Sequence, residues 1–419
     1  MAALLGNMQL TMEILSWLPP ETLLRFKSVH KSWYALIDDP QFILKHFSNS
    51  LQHNHIFLKR NMEIASDKDK GMFSILNFSL DPYPSILDID LSDYQYSQHF
   101  EIHGHSHGII CVADGIISNV FLCNPATREF RKLPPSIFPV CTITDASPRP
   151  IRYELIMHAV GFGYDANSRD FKVVRIVDIV GLRRGYPVRK AEIYELSKDR
   201  WREIEPPVRY SEVSSMASFD MFHEGTYYWW SSEEDEEFIQ SFNMSDEVFG
   251  EIPLPESLNM DKVGEIPLQE SLNMDEGEGE EEEEWPEGPE EPRKMWSMGI
   301  LNGSIVVLDY LWGGIDEKSF NVWEMKKEES GVWWSKLFTI GRIGGIENPL
   351  LFVSSDELLM ESNKGHAVLY NIKTQHIKEL PIKGDENTFE ATFFVKSLFS
   401  VKGGNNNRVC SLSKDKIII

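Results

Sequence analysis

Three histidines alternate with small residues in the stretch HGHSH (103–107), and imidazole nitrogens are common metal ligands. In an extended strand, His103, His105 and His107 would lie on one side, which is the spacing that a metal site can use. Gly104 and Gly108 indicate a bending turn instead, and no Asp, Glu or Cys stands at a matching spacing. The pattern favours a turn over a metal site, and we expect no metal or other cofactor.

Other catalytic signatures are also missing from the sequence. GFGYDA (161–166) lacks the third glycine of a dinucleotide-binding loop, and there is no G-x-S-x-G or Walker sequence. Acidic residues are too numerous for a catalytic carboxylate pair to be selected. YYWW (227–230) could form a binding platform, although a buried strand explains it better. We therefore expect a protein that is not an enzyme.

The composition indicates a folded protein of a reducing compartment. The chain has 419 residues, of which 42% are apolar, so it is longer than one ordinary small domain. Its cysteines lack the spacing of a disulfide framework or zinc site, namely Cys111, Cys123, Cys141 and Cys410. The sequence shows neither a secretory signal pattern nor an apolar run that could span a membrane. We expect a cytoplasmic location and no membrane partner.

The negative charge is concentrated in two short segments. The net charge is −24, and residues 275–291 hold 11 acidic residues and no basic ones, while EEDEE occupies 233–237. Just before the first of these runs, GEIPLPESLNMD (250–261) is repeated at 264–275 with 11 of 12 positions identical. We expect a disordered acidic insertion over 256–294 that is simply solvated, or alternatively attracts a basic protein. Because the acidic balance repels phosphate backbones, we expect no nucleic-acid partner.

The first 48 residues are rich in helix signals and apolar side chains. Pro19 and Pro20 end one helix and can open the next, and Asp39 followed by Pro40 is a cap with a first-turn proline. In the third helix, Val29, Trp33, Leu36 and Ile37 have the spacing of one apolar face. So short a segment cannot bury this surface by itself. Either a partner protein or the rest of the chain must cover it.

Five later segments share a hairpin pattern, namely VFLCNPATREFRKLP, EIYELSKDRWREIEP, IQSFNMSDEVFGEIP, NVWEMKKEESGVWWSKLF and VLYNIKTQHIKELP. In four of them an anchor residue is followed by an aromatic or aliphatic residue six positions on and by Leu or Ile nine positions on. The anchors are Asn124, Glu195, Asn243 and Asn371. The copy at Glu324 has a turn four residues longer. Each copy reads as strand, polar turn and strand.

The repeat predicts a ring of similar sheets. Two of the anchor spacings, 48 and 47 residues, are typical of a kelch-like blade. A degenerate unit occupies 55–80, and TFEATFFVKSLFSV near the end could supply the strand that closes the ring. We therefore predict a mainly β fold, a kelch-like β-propeller of about six blades, preceded by a small all-α helical module.

The segment LSWLPPETLLRFKSVHKSWYALIDDPQFILKH resembles an F-box, although the usual Leu-Pro opening of the first helix is absent. An F-box implies docking on the Skp-type adaptor of a cullin ubiquitin ligase, which also contains a RING subunit. We expect the F-box at 8–48. The residues that the resemblance assigns to adaptor binding are Leu15, Leu18, Pro19, Leu23, Leu24, Phe26, Val29, Trp33, Leu36, Pro40 and Phe42.

The rest of the chain resembles the F-box-associated domain of plant F-box proteins, and most of all their S-locus F-box group. The likeness is carried by CNPATREFRKLP, GFGYD, FKVVRI, GTYYWW and SDELLM. It implies an F-box-associated propeller over 51–402 and a tail over 403–419. The implied function is a substrate receptor for ubiquitination, with basic S-ribonucleases as one possible substrate. A scaffold without ligase activity and a propeller hydrolase remain as alternatives.

Overall fold

Six sheets and four helices make up the described part of the chain. The computed structural model describes residues 2–52, 55–62, 70–78, 85–90, 100–114, 119–138, 142–143, 151–181, 187–209, 212–213, 221–233, 236–255, 258, 293–313, 317–328, 331–402, 410–411 and 417–418. The acidic run 275–291 and most of the predicted insertion lie outside these ranges. Arg293 and Lys294, which we assigned to the insertion, begin a strand instead.

The helices are α1 (Ala2–Leu15), α2 (Pro20–Phe26), α3 (Lys31–Ile37) and α4 (Pro40–Ser50). Pro20 opens α2 as expected, and the Asp39 side chain caps α4 by accepting hydrogen bonds from the backbone N–H groups of Gln41 and Phe42. The prediction for α3 was wrong at its start. His30 caps the helix through Ser32, so Val29 precedes α3 and does not share its apolar face.

The strands, in chain order, are β1 (His55–Met62), β2 (Lys70–Asn77), β3 (Ser85–Asp90), β4 (Phe100–Ser106), β5 (Ile109–Asp114), β6 (Asn119–Asn124), β7 (Glu129–Lys132), β8 (Thr142–Ile143), β9 (Ile151–Asp165), β10 (Asp170–Gly181), β11 (Val188–Glu195), β12 (Arg200–Ile204), β13 (Glu212–Val213), β14 (Met221–His223), β15 (Thr226–Glu233), β16 (Glu236–Asn243), β17 (Val248–Pro253), β18 (Arg293–Leu301), β19 (Ser304–Trp312), β20 (Glu317–Glu328), β21 (Gly331–Gly344), β22 (Ile346–Phe352), β23 (Glu357–Ser362), β24 (His366–Asn371), β25 (His376–Lys383), β26 (Glu390–Phe394), β27 (Cys410–Ser411) and β28 (Ile417–Ile418).

These strands form a six-bladed β-propeller, which confirms the predicted fold. Blade 1 has the order β26-β1-β2-β3-β28, and blade 2 the order β27-β7-β6-β5-β4. Blade 3 contains β8 to β12, blade 4 contains β13 to β17, blade 5 contains β18 to β21, and blade 6 contains β22 to β25. The ring is closed by β26, which pairs antiparallel with β1, as we predicted from TFEATFFVKSLFSV.

The repeated hairpins have one register. Each anchor pairs with the residue five positions later, as Asn124 does with Glu129 and Asn371 with His376. The residue just before that partner has a positive φ, for example 59° at Arg128 and 56° at Gln375. The Asn124 carboxamide oxygen accepts hydrogen bonds from the next turn N–H groups, at 3.0 Å from Ala126 and 3.3 Å from Thr127. The anchor therefore sets the turn by satisfying its backbone donors.

The antiparallel order gives the propeller two distinct faces. Turns between the first and second and between the third and fourth strands of a blade lie on one face, together with His107 and Arg128. We call this the proximal face. The turns between second and third strands and the connections between blades lie on the other, distal face. The expected acidic insertion joins β17 to β18, so both of its ends lie at the distal face.

Two sequence segments have structural roles in the propeller. Every side chain of YYWW (227–230) is buried in β15, as the buried-strand interpretation predicted. In HGHSH, Gly104 has a φ of 93° and the register between β4 and β5 shifts there, so the histidines do not alternate along one straight strand. His107 and Gly108 form the turn between these two strands.

Candidate adaptor-binding site

Four of the residues assigned to adaptor binding form the core of the helical module. Leu15, Leu23, Leu36 and Phe42 are between 0% and 6% exposed and pack together with Ile37. Their side chains hold the helices in place. They do not offer surface to a partner, so any effect of these residues on adaptor binding would act through the fold of the module.

The other assigned residues remain accessible in the structure. Pro19 and Pro40 are exposed, and Val29 is exposed to 64%. Leu18, Leu24, Phe26 and Trp33 are partly buried, with the Phe26 and Trp33 rings 5.2 Å apart. Leu18, Phe26 and Trp33 pack against the core of the module. The described residues of the propeller leave Pro19, Val29 and Pro40 exposed.

Further exposed apolar side chains on the module were missed by the sequence reasoning. Leu10, Ile14 and Trp17 are 60%, 58% and 56% exposed, and Tyr34 is 55% exposed. The spacing of the first three, i, i+4 and i+7, is the helical pattern that could have revealed them. Groups of large apolar side chains in water are typical of protein-binding surfaces. We call these four residues together with Val29 the apolar module surface.

Polar contacts fix α4 against the end of α1. The His46 ring nitrogen Nε2 lies 3.0 Å from the Leu18 carbonyl oxygen, and the Asn49 side chain donates a hydrogen bond of 2.9 Å to Ser16 Oγ. His46 is buried, and this burial lowers the pKa of its imidazole. The folded module therefore favours the neutral form of the His46 imidazole.

The module is attached to the proximal face by aromatic contacts. The Phe47 ring of α4 stacks on the His107 ring at 4.7 Å and meets the Phe399 ring edge-on at 5.7 Å. His107 also lies 4.3 Å from the Tyr164 ring, centroid to centroid. Burial lowers the pKa of His107 to about 4. The ring is therefore neutral at neutral pH, as an apolar contact requires.

Residues 395–402, which follow the closing strand β26, lie between the module and the propeller. Leu398 packs into the core of the module, and Lys396 Nζ contacts Glu21 Oε1 at 2.7 Å. On the propeller side, the Asn124 side chain donates hydrogen bonds of 3.2 Å and 2.6 Å to the Ser397 and Phe399 carbonyl oxygens. We call residues 395–402 the strap, because they contact both parts.

The structure describes no group with the composition of a metal site. Among the described residues, no three His, Cys, Asp or Glu side chains come together. His105 lies beside the central channel, and burial together with the nearby His107 lowers its pKa to about 4. Cys111 and Cys123 are buried free thiols. No helix in the described ranges is both long and apolar enough to cross a membrane.

Comparison with protein families agrees with the division into module and propeller. The model of the F-box domain matches residues 9–45, and that of the F-box associated beta propeller domain matches residues 64–270. The chain carries an F-box followed by an F-box associated β-propeller. We therefore refer to the helical module as the F-box from here on.

The similar proteins are plant F-box proteins. The chain is 24% identical over 429 residues to the F-box protein CPR1 of Arabidopsis thaliana, covering 96% of this chain and 90% of CPR1. It is 30% identical over 250 residues to the Arabidopsis thaliana F-box/kelch-repeat protein At3g17530, covering 58% of this chain and 59% of that protein. Among solved structures, TolB from Acinetobacter baumannii matches with 6% identity and a TM-score of 0.41, over 85% and 73% of the two chains. That score is too low to support any argument about this chain.

Proposed function

We propose that this protein is the substrate-recognition subunit of an SCF-type E3 ubiquitin ligase. Its F-box would bind a Skp-type adaptor, which connects it to the cullin and the RING subunit. The observation that supports this most is the apolar module surface, which remains in water although the F-box packs on a large propeller. Covering Trp17, Val29 and Tyr34 with a second protein would bury this apolar area.

The propeller would bind the protein to be ubiquitinated, through its distal face. The F-box occupies part of the proximal face through Phe47 and His107. A substrate bound to the distal face would therefore not block adaptor binding to the F-box. The receptor itself performs no chemistry. It raises the local concentration of substrate lysines near the ubiquitin carrier, which requires both surfaces to be occupied at once.

We further propose a basic protein as the substrate and the cytoplasm as the location. The net charge of −24 and the acidic runs at 233–237 and 275–291 favour encounter with a positively charged partner. The strands that flank each run, β15 and β16 for 233–237 and β17 and β18 for 275–291, meet it at the distal face. The S-ribonucleases of pollen self-incompatibility are basic proteins, and the S-locus resemblance suggests them as the first substrates to test.

The test of the F-box proposal is co-purification with a plant Skp adaptor. We expect Val29→Asp to abolish co-purification, because a carboxylate would be buried in the interface. Val248 on the outer strand of blade 4 is 60% exposed, close to the 64% of Val29, so Val248→Asp is the matched control. Full recovery of adaptor with Val29→Asp would contradict the proposal.

The runner-up is a propeller scaffold that binds its partner without delivering it to a ligase. It is favoured by the absent Leu-Pro opening of the first F-box helix. Under this alternative the intact chain would bind no adaptor, while the distal face would still bind its partner. The same co-purification assay with the unmodified chain separates the two functions.

A further inference from the structure

A pocket of about 670 Å³ lies in blade 5, within the size range of ligand sites. Lys294, Lys318 and Arg342 line it together with Asn321 and Asp309. The three cationic residues belong to three different strands, β18, β20 and β21, and each lies near the distal end of its strand. We call this the blade-5 pocket. Its cationic lining stands out in a chain with a net charge of −24.

The carboxylates at the pocket offset this charge only in part. Asp309 accepts hydrogen bonds from the Asn321 side chain at 2.7 Å and from Trp323 Nε1 at 2.6 Å, so both of its oxygens are occupied. Lys318 is buried, and its ammonium donates to the Glu347 carbonyl oxygen at 2.9 Å and forms an ion pair with the Glu347 carboxylate at 3.5 Å. Arg342 is exposed and forms no ion pair among the described residues. Glu317 is the remaining carboxylate of the lining.

A buried donor beside the pocket also lacks an acceptor. Trp296 pairs with Asp309 across β18 and β19, and by strand alternation it lies on the same face of the sheet as Lys294. Trp296 is 8% exposed, and its Nε1 donor has no hydrogen-bond partner in the described part of the chain. Its ring stacks on Trp230 of blade 4 at 5.1 Å. Trp296 does not itself line the pocket, and its donor is available to an acceptor outside the described residues.

We propose that the blade-5 pocket binds an anionic group of the substrate polypeptide, either a phosphoryl group or a carboxylate. This proposal rests on the proposed function and specifies where the distal face contacts its substrate. Cationic side chains and an unpaired N–H donor are the groups that recognise such oxygens. A substrate of positive overall charge can carry this group, because the pocket contacts one side chain and not the whole surface.

The test uses the full chain, with and without the adaptor, and three fluorescent peptides, Gly-Gly-X-Gly-Gly, in which X is phosphoserine, glutamate or serine. Fluorescence anisotropy reports binding, and inorganic phosphate serves as competitor. We expect the phosphoserine or glutamate peptide to bind and the serine peptide not to bind. Binding of phosphoserine alone would identify phosphorylation as the source of the charge, and equal binding of glutamate would identify an acidic side chain.

The variant Arg342→Gln should weaken binding of the anionic peptide about tenfold, because it removes a charge-assisted hydrogen bond from an exposed residue. Lys336 lies on the same strand, is also exposed and does not line the pocket, so Lys336→Gln is the matched control. Equal losses in both variants, or binding of no peptide, would overturn the proposal. Adaptor co-purification is measured on the same samples, so a failure of the ligase function would be seen separately.

Discussion

The ring of Phe47 in the F-box stacks on the ring of His107 in the propeller, with centroids 4.7 Å apart and planes inclined by 26°. This contact joins α4 to the turn between β4 and β5. It is reinforced by Phe399 of the strap, whose ring meets that of His107 at 5.3 Å. The orientation of the F-box helices relative to the propeller therefore depends on a small aromatic cluster.

Replacing Phe47 with Ala should loosen the F-box without unfolding the propeller. The variant loses the stacked and edge-on contacts, and we expect the F-box to lose about 2 kcal/mol of stability. Limited proteolysis measures this as faster cleavage near residue 52, between α4 and β1. Phe47→Leu retains apolar contact and serves as control. Cleavage at the unmodified rate would show that the strap alone holds the F-box.

Shortening Leu398 should impair adaptor binding although this residue belongs to the strap. Leu398 is 5% exposed and fills the core of the F-box. We expect Leu398→Ala to destabilise the F-box by about 3 kcal/mol, because a cavity is left between its helices. Co-purification with adaptor should fall on warming, whereas it stays constant for the unmodified chain. Leu337→Ala, at an exposed position of β21, is the control. If adaptor co-purification of the Leu398→Ala variant stayed constant on warming, the F-box would be stable without the strap.

The contribution of His105 and His107 to stability should fall as the pH drops from about 6.5 towards 4, whereas Glu237 and Glu361, whose pKa values burial raises to about 7, act in the opposite direction. Burial lowers the pKa of His105 and of His107 from 6.5 to about 4. As the pH falls, these histidines are therefore protonated in the unfolded chain at a higher pH than in the folded protein. The stabilisation is complete above pH 6.5 and is lost as the pH falls through the folded-state values. At roughly 1.4 kcal/mol for each pKa unit, the upper limit is about 3 kcal/mol for each histidine, and solvent screening reduces it.

Urea unfolding as a function of pH measures this loss. His107→Phe preserves an aromatic ring without a titrating group. The free energy of unfolding of this variant should fall less between pH 6.5 and 4 than that of the unmodified protein. His376→Gln, at an exposed position of β25, should leave the curve unchanged. If His107→Phe has the same pH profile as the unmodified protein, His107 does not contribute to the acid sensitivity.

Substrate capture should weaken as salt increases. The acidic residues of 275–291 act over distances comparable to the Debye length, which is about 8 Å at physiological ionic strength. Replacing the 11 acidic residues by Gln and Asn should lower the association rate for a basic substrate and reduce its salt dependence. Stopped-flow binding measures the rate. A rate that does not depend on salt in the unmodified chain would refute the electrostatic proposal.

Much of the fold could be predicted because the hairpin repeat is a local signal. The anchors at Asn124 and Asn371 determine a turn through their own side chains. Each anchor therefore marks one blade, and the distance between anchors in the sequence gives the length of a blade. The closing strand β26 could also be recognised as an apolar segment without a local partner. The split of the first strand of blade 4 into β13 and β14 has no such signal and was missed.

The exposure of the residues assigned to adaptor binding was harder to predict because apolar residues in a short helical segment can face inward or outward. Leu23 and Val29 read alike in the sequence, yet Leu23 is 0% and Val29 64% exposed. The distinction depends on where α3 begins, which the His30 cap decides, and on the strap, which is distant in sequence. The contact of Phe47 with His107 is a tertiary pairing with no sequence pattern, and so we did not anticipate it.

The pairing of β1 with β26 has a consequence for synthesis on the ribosome. The F-box and five blades have been translated before Glu390–Phe394 are made, so blade 1 lacks its innermost strand until these residues have left the ribosome. The strap follows directly, so Leu398 reaches the F-box at the same late stage. A nascent or prematurely terminated chain therefore has neither a closed ring nor a complete F-box core. Only chains translated past Leu398 would then have a complete F-box core.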